Sequence, residues 1–270
     1  MLYYASFLTG LGAPPTSLDW PLLSHGLPYS AAVLGILMAH EMGHYLACRY
    51  YNIDCTLPFF LPFIPILSVA GTLGAVIKIR EPFPSRKVLF DIGIAGPIAG
   101  FVALIPLLFF AVSRSTLIPA IEPGPGTREF GEPLLFRLAV WLIWGPVREG
   151  MQINLHPVGF AAWFGMLATA WNLLPFGQLD GGHLTYGTLG DRSRYVSIAT
   201  AAFAVLMCIF VSLNWALMAL IMVAMLYFMG SRHPMVLNEY EPLGSPRYLL
   251  AALAIVMFVL CFTPVPVHIH

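Results

Sequence analysis

Long apolar stretches recur along this chain at lengths that match the hydrocarbon thickness of a lipid bilayer. A spanning helix needs about 20 mostly apolar residues, with a range of roughly 17–25. Residues 29–50, 88–112 and 156–175 each reach that length. Residues 195–230 are too long for one crossing and carry Ser212 and Asn214 near their middle, which predicts two helices joined by a tight turn. A short last crossing covers 248–262, so the chain reads as five or six spans. Composition agrees, because 59% of residues are hydrophobic, only 10% are charged and the mean hydropathy is +0.80. Soluble chains carry about 25% charged residues, and this one lacks the polar groups to face water all round. With 13 Lys and Arg against 13 Asp and Glu, no basic surplus exists to neutralise a phosphate backbone, which argues against a nucleic-acid partner. Cys48, Cys55, Cys208 and Cys261 lack C-x-x-C spacing and read as small buried hydrophobes.

Other segments are irregular. TLPFFLPFIPIL, from residue 56, holds three prolines and cannot be a regular helix. SVAGTLGAVIKIR, which follows to residue 80, is β-branched and punctuated by glycine, as strands are. Irregular backbone at membrane depth survives only where protein or a watery cavity satisfies it, so residues 56–80 predict a membrane-inserted β-hairpin. Residues 1–12 form a short interfacial segment, 134–144 a surface-lying amphipathic helix, and the rest of 113–155 turns. The expected fold is an all-α polytopic membrane protein with about six transmembrane helices and the hairpin between the first two core helices. Residues 1–270 read as one integral-membrane domain, with a core at 29–190, C-terminal helices at 195–263 and no appended soluble domain. No Lys or Arg precedes Arg49, so the spans themselves direct insertion. Placing residues 51–87 in the cytoplasm puts nine Lys and Arg on that side and leaves Arg114, Arg128, Arg137 and Arg148 outside, the orientation that positive-inside bias favours.

The sharpest chemical signal is HEMGH, residues 40–44, inside the first span. Helical residues four apart share a face, so His40 and His44 can ligate one zinc while Glu41, adjacent but not a ligand, holds the water to be activated. A satisfied core histidine is the ordinary alternative. Three ionisable groups within five residues of a membrane span weigh against it, because such groups are costly there and functional by default. A catalytic zinc needs a third protein ligand and an open position. Asp180 in NLLPFGQLDGGH, residues 172–183, is the candidate, since it ends the third span on the same side as the histidines; its ordinary alternative is a turn or helix cap.

These residues resemble the intramembrane metalloproteases of the site-2 protease family, peptidase family M50. The resemblance runs from about residue 30 to 190 and takes in HEMGH, GTLGAVIKIR, GPIAG at 96–100 and NLLPFGQLDGG. It implies Zn2+ held by His40, His44 and Asp180, with Glu41 as general base. It also implies Asn172 in contact with substrate or in support of the transition state, and transmembrane protein segments as substrates in the bilayer. Gly177 and Gly100 depart from the commoner proline and asparagine of such proteins. Two rival readings are a divalent-metal transporter using the same four side chains and a catalytically inactive homologue. The cluster's place toward one face opposes the first, and the intact Glu41 opposes the second. The protein is expected to be multi-pass in a cell or organellar membrane, with its active site toward the cytoplasmic side.

Remaining polar residues rank lower. His183 is a substitute ligand or a water-facing histidine, His156-Pro157 marks a helix start, and His268 and His270 lack a completed site. Gly96 and Gly100 read as a G-x-x-x-G helix-packing face. The methionines of 217–235 read as lipid-facing or core filling.

Overall fold

The computed structural model describes residues 20–62, 72–120, 128–229 and 236–269. The opening segment 1–12, the middle of the 56–80 hairpin at 63–71, part of the 113–155 turns at 121–127, the end of the methionine-rich stretch and His270 lie outside the described residues.

Helix α1 spans Trp20–Tyr50. It stops where Asn52 takes a left-handed φ of 55°, which asparagine tolerates better than most residues. The Ile53 N–H then donates to the Cys48 carbonyl at 2.9 Å and the Asn52 N–H to the Arg49 carbonyl at 3.2 Å, a Schellman closure that satisfies two orphan carbonyls. Buried Ile53 packs beside Cys48 as the accompanying apolar contact. Next come β1, Phe59–Pro62, and β2, Thr72–Val76, paired antiparallel with Phe59 opposite Val76 and Phe60 opposite Ala75. The ladder runs on below them through Cys55 and Ile79 to the Asp54–Arg80 ion pair at 3.2 Å.

Helix α2 spans Arg86–Arg114 and starts at Ser85, whose Oγ accepts the Val88 N–H. It continues through Pro97 and Pro106, which an α-helix accommodates only where neighbouring elements hold it. There follow β3 (Thr116–Pro119), β4 (Arg128–Phe130), α3 (Leu134–Trp144) and β5 (Met151–Asn154). Strand β3 pairs antiparallel with β5. Helix α4, Pro157–Asn172, begins as expected at His156-Pro157, where His156 Nδ1 caps the Val158 N–H at 3.3 Å. Helix α5, Asp180–Leu189, passes through a 3-10 turn at Gly190–Arg192 into α6, Ser193–Phe210. The tight turn expected near Ser212 is present, with Ser212 Oγ accepting the Asn214 N–H before α7, Ala216–Met229. Helix α8, Ser245–Cys261, leads to β6, Val267–Ile269, which pairs with β4.

The main core lies between α1, α2 and α4, where Ile36, Leu104, Leu108, Ala161, Ala162 and Met166 are buried. Helices α1 and α2 approach very closely: a methyl at Gly43 would lie 2.4 Å from the Ala95 carbonyl oxygen. Among the described residues, three stretches are long and apolar enough to cross a membrane, namely Gly26–Tyr50, Arg86–Arg114 and Asp180–Phe210. The chain is thus a mostly helical membrane protein. The third expected crossing is shorter than read from sequence, since α4 ends at Asn172, where the Leu174 N–H tightens onto the Trp171 carbonyl at 3.2 Å just before Pro175.

Candidate metal centre

HEMGH sits in the unbroken middle of α1, so His40 and His44 lie one turn apart and on one face. Their Nε2 atoms are 3.1 Å apart and their rings meet edge to face. Asp180, first residue of α5, closes the third side: Oδ2 is 3.1 Å from His40 Nε2 and Oδ1 is 3.3 Å from His44 Nε2. Both histidines are buried, and the Asp180 side chain is 12% exposed. Among the described residues these three offer ligand atoms that all lie within 4.8 Å of one another.

The donor set can be tested against a metal. Zinc bonds of 2.0–2.1 Å at tetrahedral angles separate ligand atoms by about 3.3 Å. The three observed separations fall close to that spacing. Two imidazole nitrogens and a carboxylate, with a fourth position left over, are the ligand types of a hydrolytic zinc site.

Neighbouring elements aim the ligands. His44 Nδ1 is 2.7 Å from the Ile92 carbonyl, and a carbonyl only accepts. His44 therefore carries its proton on Nδ1 and turns the Nε2 lone pair toward Asp180 and His40, the arrangement outer partners usually impose on metal-binding imidazoles. Gly96 leaves room for that ring, since a methyl there would lie 2.1 Å from His44 Nε2. Gly100 backs His40 in the same way, at 3.1 Å from its Cβ. The G-x-x-x-G of α2 thus packs helices closely, as expected, and also seats both rings. Asn172, last residue of α4, brings Nδ2 to 3.4 Å from His40 Nε2. Glu41 is adjacent to His40 and meets the backbone N–H of Ile77, just beyond β2.

The glycines around Asp180 have two different jobs. Gly177 has φ 51°, a value closed to proline, whose ring holds φ near −65°. Gly181 and Gly182 are helical, and methyls on them would lie 2.2 Å from the Leu173 and Gly177 carbonyl oxygens. Close approach of α5 to the backbone of the 173–177 turn that follows α4 is what requires them. His183 is half-buried in α5, its ring tilted 58° to that of Phe83 with centroids 6.0 Å apart, and is not among the three converging ligands. The Ile92 carbonyl and the seating role of Gly96 and Gly100 were missed from sequence, although the G-x-x-x-G spacing signalled the close contact.

Fold and site together define a helical membrane protein with a two-histidine, one-aspartate cluster where α1, α2 and α5 meet. Residues 28–213 match the sequence profile of peptidase family M50, and the chain belongs to that family. The probable zinc metalloprotease EGY1, chloroplastic, of Arabidopsis thaliana is 29% identical over 264 residues, which cover 93% of this chain and 45% of that protein. Its namesake from Oryza sativa subsp. japonica is 32% identical over 192 residues, covering 68% and 32%. The probable zinc metalloprotease EGY2, chloroplastic, of Oryza sativa subsp. indica is 32% identical over 180 residues, covering 65% and 31%. This chain spans less than half the length of each of these relatives.

Proposed function

We propose that this chain is an intramembrane zinc metalloprotease that hydrolyses peptide bonds in or near transmembrane segments of membrane-protein substrates. The observation that carries the reading is the meeting of His40, His44 and Asp180 at zinc-ligand spacing beside Glu41. His40, His44 and Asp180 would hold Zn2+, which when bound supplies a Lewis acid for the scissile carbonyl and lowers the pKa of its water toward about 7. Glu41, which is not a ligand, takes the water proton on its carboxylate and delivers it to the leaving amine nitrogen. Its carboxylate lies beside the Ile77 N–H. Asn172 reaches the same centre with a donor nitrogen, as a group supporting the developing oxyanion must.

A transmembrane substrate hides its carbonyls in helix hydrogen bonds, so it must unwind before attack. In this reading the free edge near β2 receives the extended substrate by strand addition. The hairpin enters the membrane, a placement supported by its outward apolar row of Leu57, Phe59 and Leu61, all exposed in the protein itself. The helices α4, α6, α7 and α8 complete about six crossings with α1 and α2, as one domain over 1–270 with the active site toward the cytoplasm.

The deciding experiment compares purified wild type with Glu41→Gln for bound zinc and for cleavage of a tagged single-span substrate in proteoliposomes. Wild type is expected to hold one zinc and cut; Glu41→Gln is expected to hold zinc and not cut. Metal flux across the liposome without cleavage would replace this reading with a transporter.

A further inference from the structure

A cluster outside the metal-binding triad joins three elements near its rim. Asp91 lies in α2 immediately before Ile92, the residue whose carbonyl accepts from His44. The Asp91 carboxylate receives Arg247 in a fork, Nε on Oδ1 at 2.7 Å and Nη2 on Oδ2 at 2.6 Å. Arg247 belongs to the first turn of α8, and its Nη1 also donates to the Leu243 carbonyl at 3.1 Å. The third donor is the Tyr51 hydroxyl. Tyr51 directly follows α1 and stands seven residues past His44, two helical turns along the same face. Burial and the adjacent carboxylate push the Tyr51 phenol up to about 12, so it stays a donor across the physiological range.

We propose that the Asp91–Arg247–Tyr51 clamp is a positioning unit for the metal ligand His44, through which α8, beyond the family-matched residues 28–213, sets the geometry of the metal centre. Two links fix α1 against α2: His44 to the Ile92 carbonyl, and Tyr51 to the carboxylate one residue earlier. Sliding or rotating α1 breaks both. Arg247 holds the carboxylate so that it can take Tyr51, and thereby holds the Ile92 turn at the height that aims His44 Nε2. Stability alone is a weak reason for such a pair, because apolar residues of similar volume often replace a desolvated ion pair at no cost. The side chains of Asp91 and Arg247 are only 18% and 17% exposed.

The inference rests on the zinc reading for its catalytic meaning, and the test separates the two. Full-length Asp91→Asn, Arg247→Met, Arg247→Lys, Tyr51→Phe and the apolar pair Asp91→Leu with Arg247→Met are compared with wild type. His40→Ala serves as the site control, and Lys87→Ala, which breaks the 3.8 Å Lys87–Glu241 pair, as the control for losing an unrelated ion pair. Zinc affinity by chelator competition is expected to fall about tenfold or more when the clamp is broken, the usual effect of removing an outer partner. The d–d bands of the cobalt-loaded protein should shift, with Arg247→Lys partly restoring both. In metal-free protein, exchange of the His44 ring N–H, followed by nitrogen-15 NMR, should quicken in the apolar pair even where its melting temperature equals wild type. Unchanged affinity, cobalt spectrum and ring N–H exchange in a folded apolar pair would overturn the clamp. Should wild type bind no metal that His40→Ala removes, the zinc reading falls, and the exchange rate alone still decides the clamp.

Discussion

His44 is constrained on every side by something different: a carbonyl at Nδ1, a glycine beneath the ring, and a carboxylate and a second imidazole at Nε2. This makes Gly96→Ala a sharper probe than its size suggests. Its added methyl would sit 2.1 Å from Nε2, against 3.1 Å from the His40 Cβ for Gly100→Ala. Gly96→Ala should therefore lose most zinc by atomic absorption while Gly100→Ala keeps a measurable share; equal retention would show that α2 shifts to make room. Glu41→Gln tests a different property. It should leave zinc in place and lower kcat by roughly 10²–10⁴, the usual worth of a positioned base, whereas turnover near wild type would transfer the base role elsewhere. His40, Glu41 and His44 were legible because a four-residue spacing of ionisable groups in an apolar run has few other readings. Asp180 was legible through the demand for a third ligand. The Ile92 carbonyl was not, since every residue has a backbone carbonyl and only packing selects one.

At the scale of elements, period and punctuation located the helices well. The surface helix spans the same residues, 134–144, as the reading proposed, and the break at Ser212 separates α6 from α7. Helix α3 buries Leu135, Phe136 and Ala139 and leaves Leu138, Trp141 and Leu142 exposed together with Arg137. The shortness of α4 was hidden because hydropathy does not stop at Asn172; the chain stays apolar through Leu174 and Pro175 while its backbone has already turned. For the hairpin, the prolines after residue 56 excluded a regular helix and the β-branched, glycine-punctuated run that follows predicted strands, while the bounds of β1 and β2 and their pairing register came only from the structure. Proline at Val76 or Ile77 removes a backbone donor from this edge, and at Ile77 it also removes the N–H that meets Glu41. Both variants should bind zinc like wild type and cut several-fold more slowly in the single-span substrate assay. Two folded variants with normal rates would leave the hairpin as a mere plug.

For the molecule as a whole, the distribution of positive charge predicts sidedness. In a background stripped of its four cysteines, single cysteines beside Arg86 and Arg192 should react with an impermeant thiol reagent from the cytoplasmic face, and one beside Arg148 only from the other. The reverse pattern would invert the protein and its metal centre. The contact at Gly43 bears on how anything reaches that centre. Where one helix backbone rests against another with no space for a methyl group, neither an acyl chain nor a peptide can wedge between them. At Gly43 the seam between α1 and α2 is closed, so a substrate of the proposed protease would have to reach the metal centre by another route, and substitutions that change which substrates are admitted should collect away from this seam.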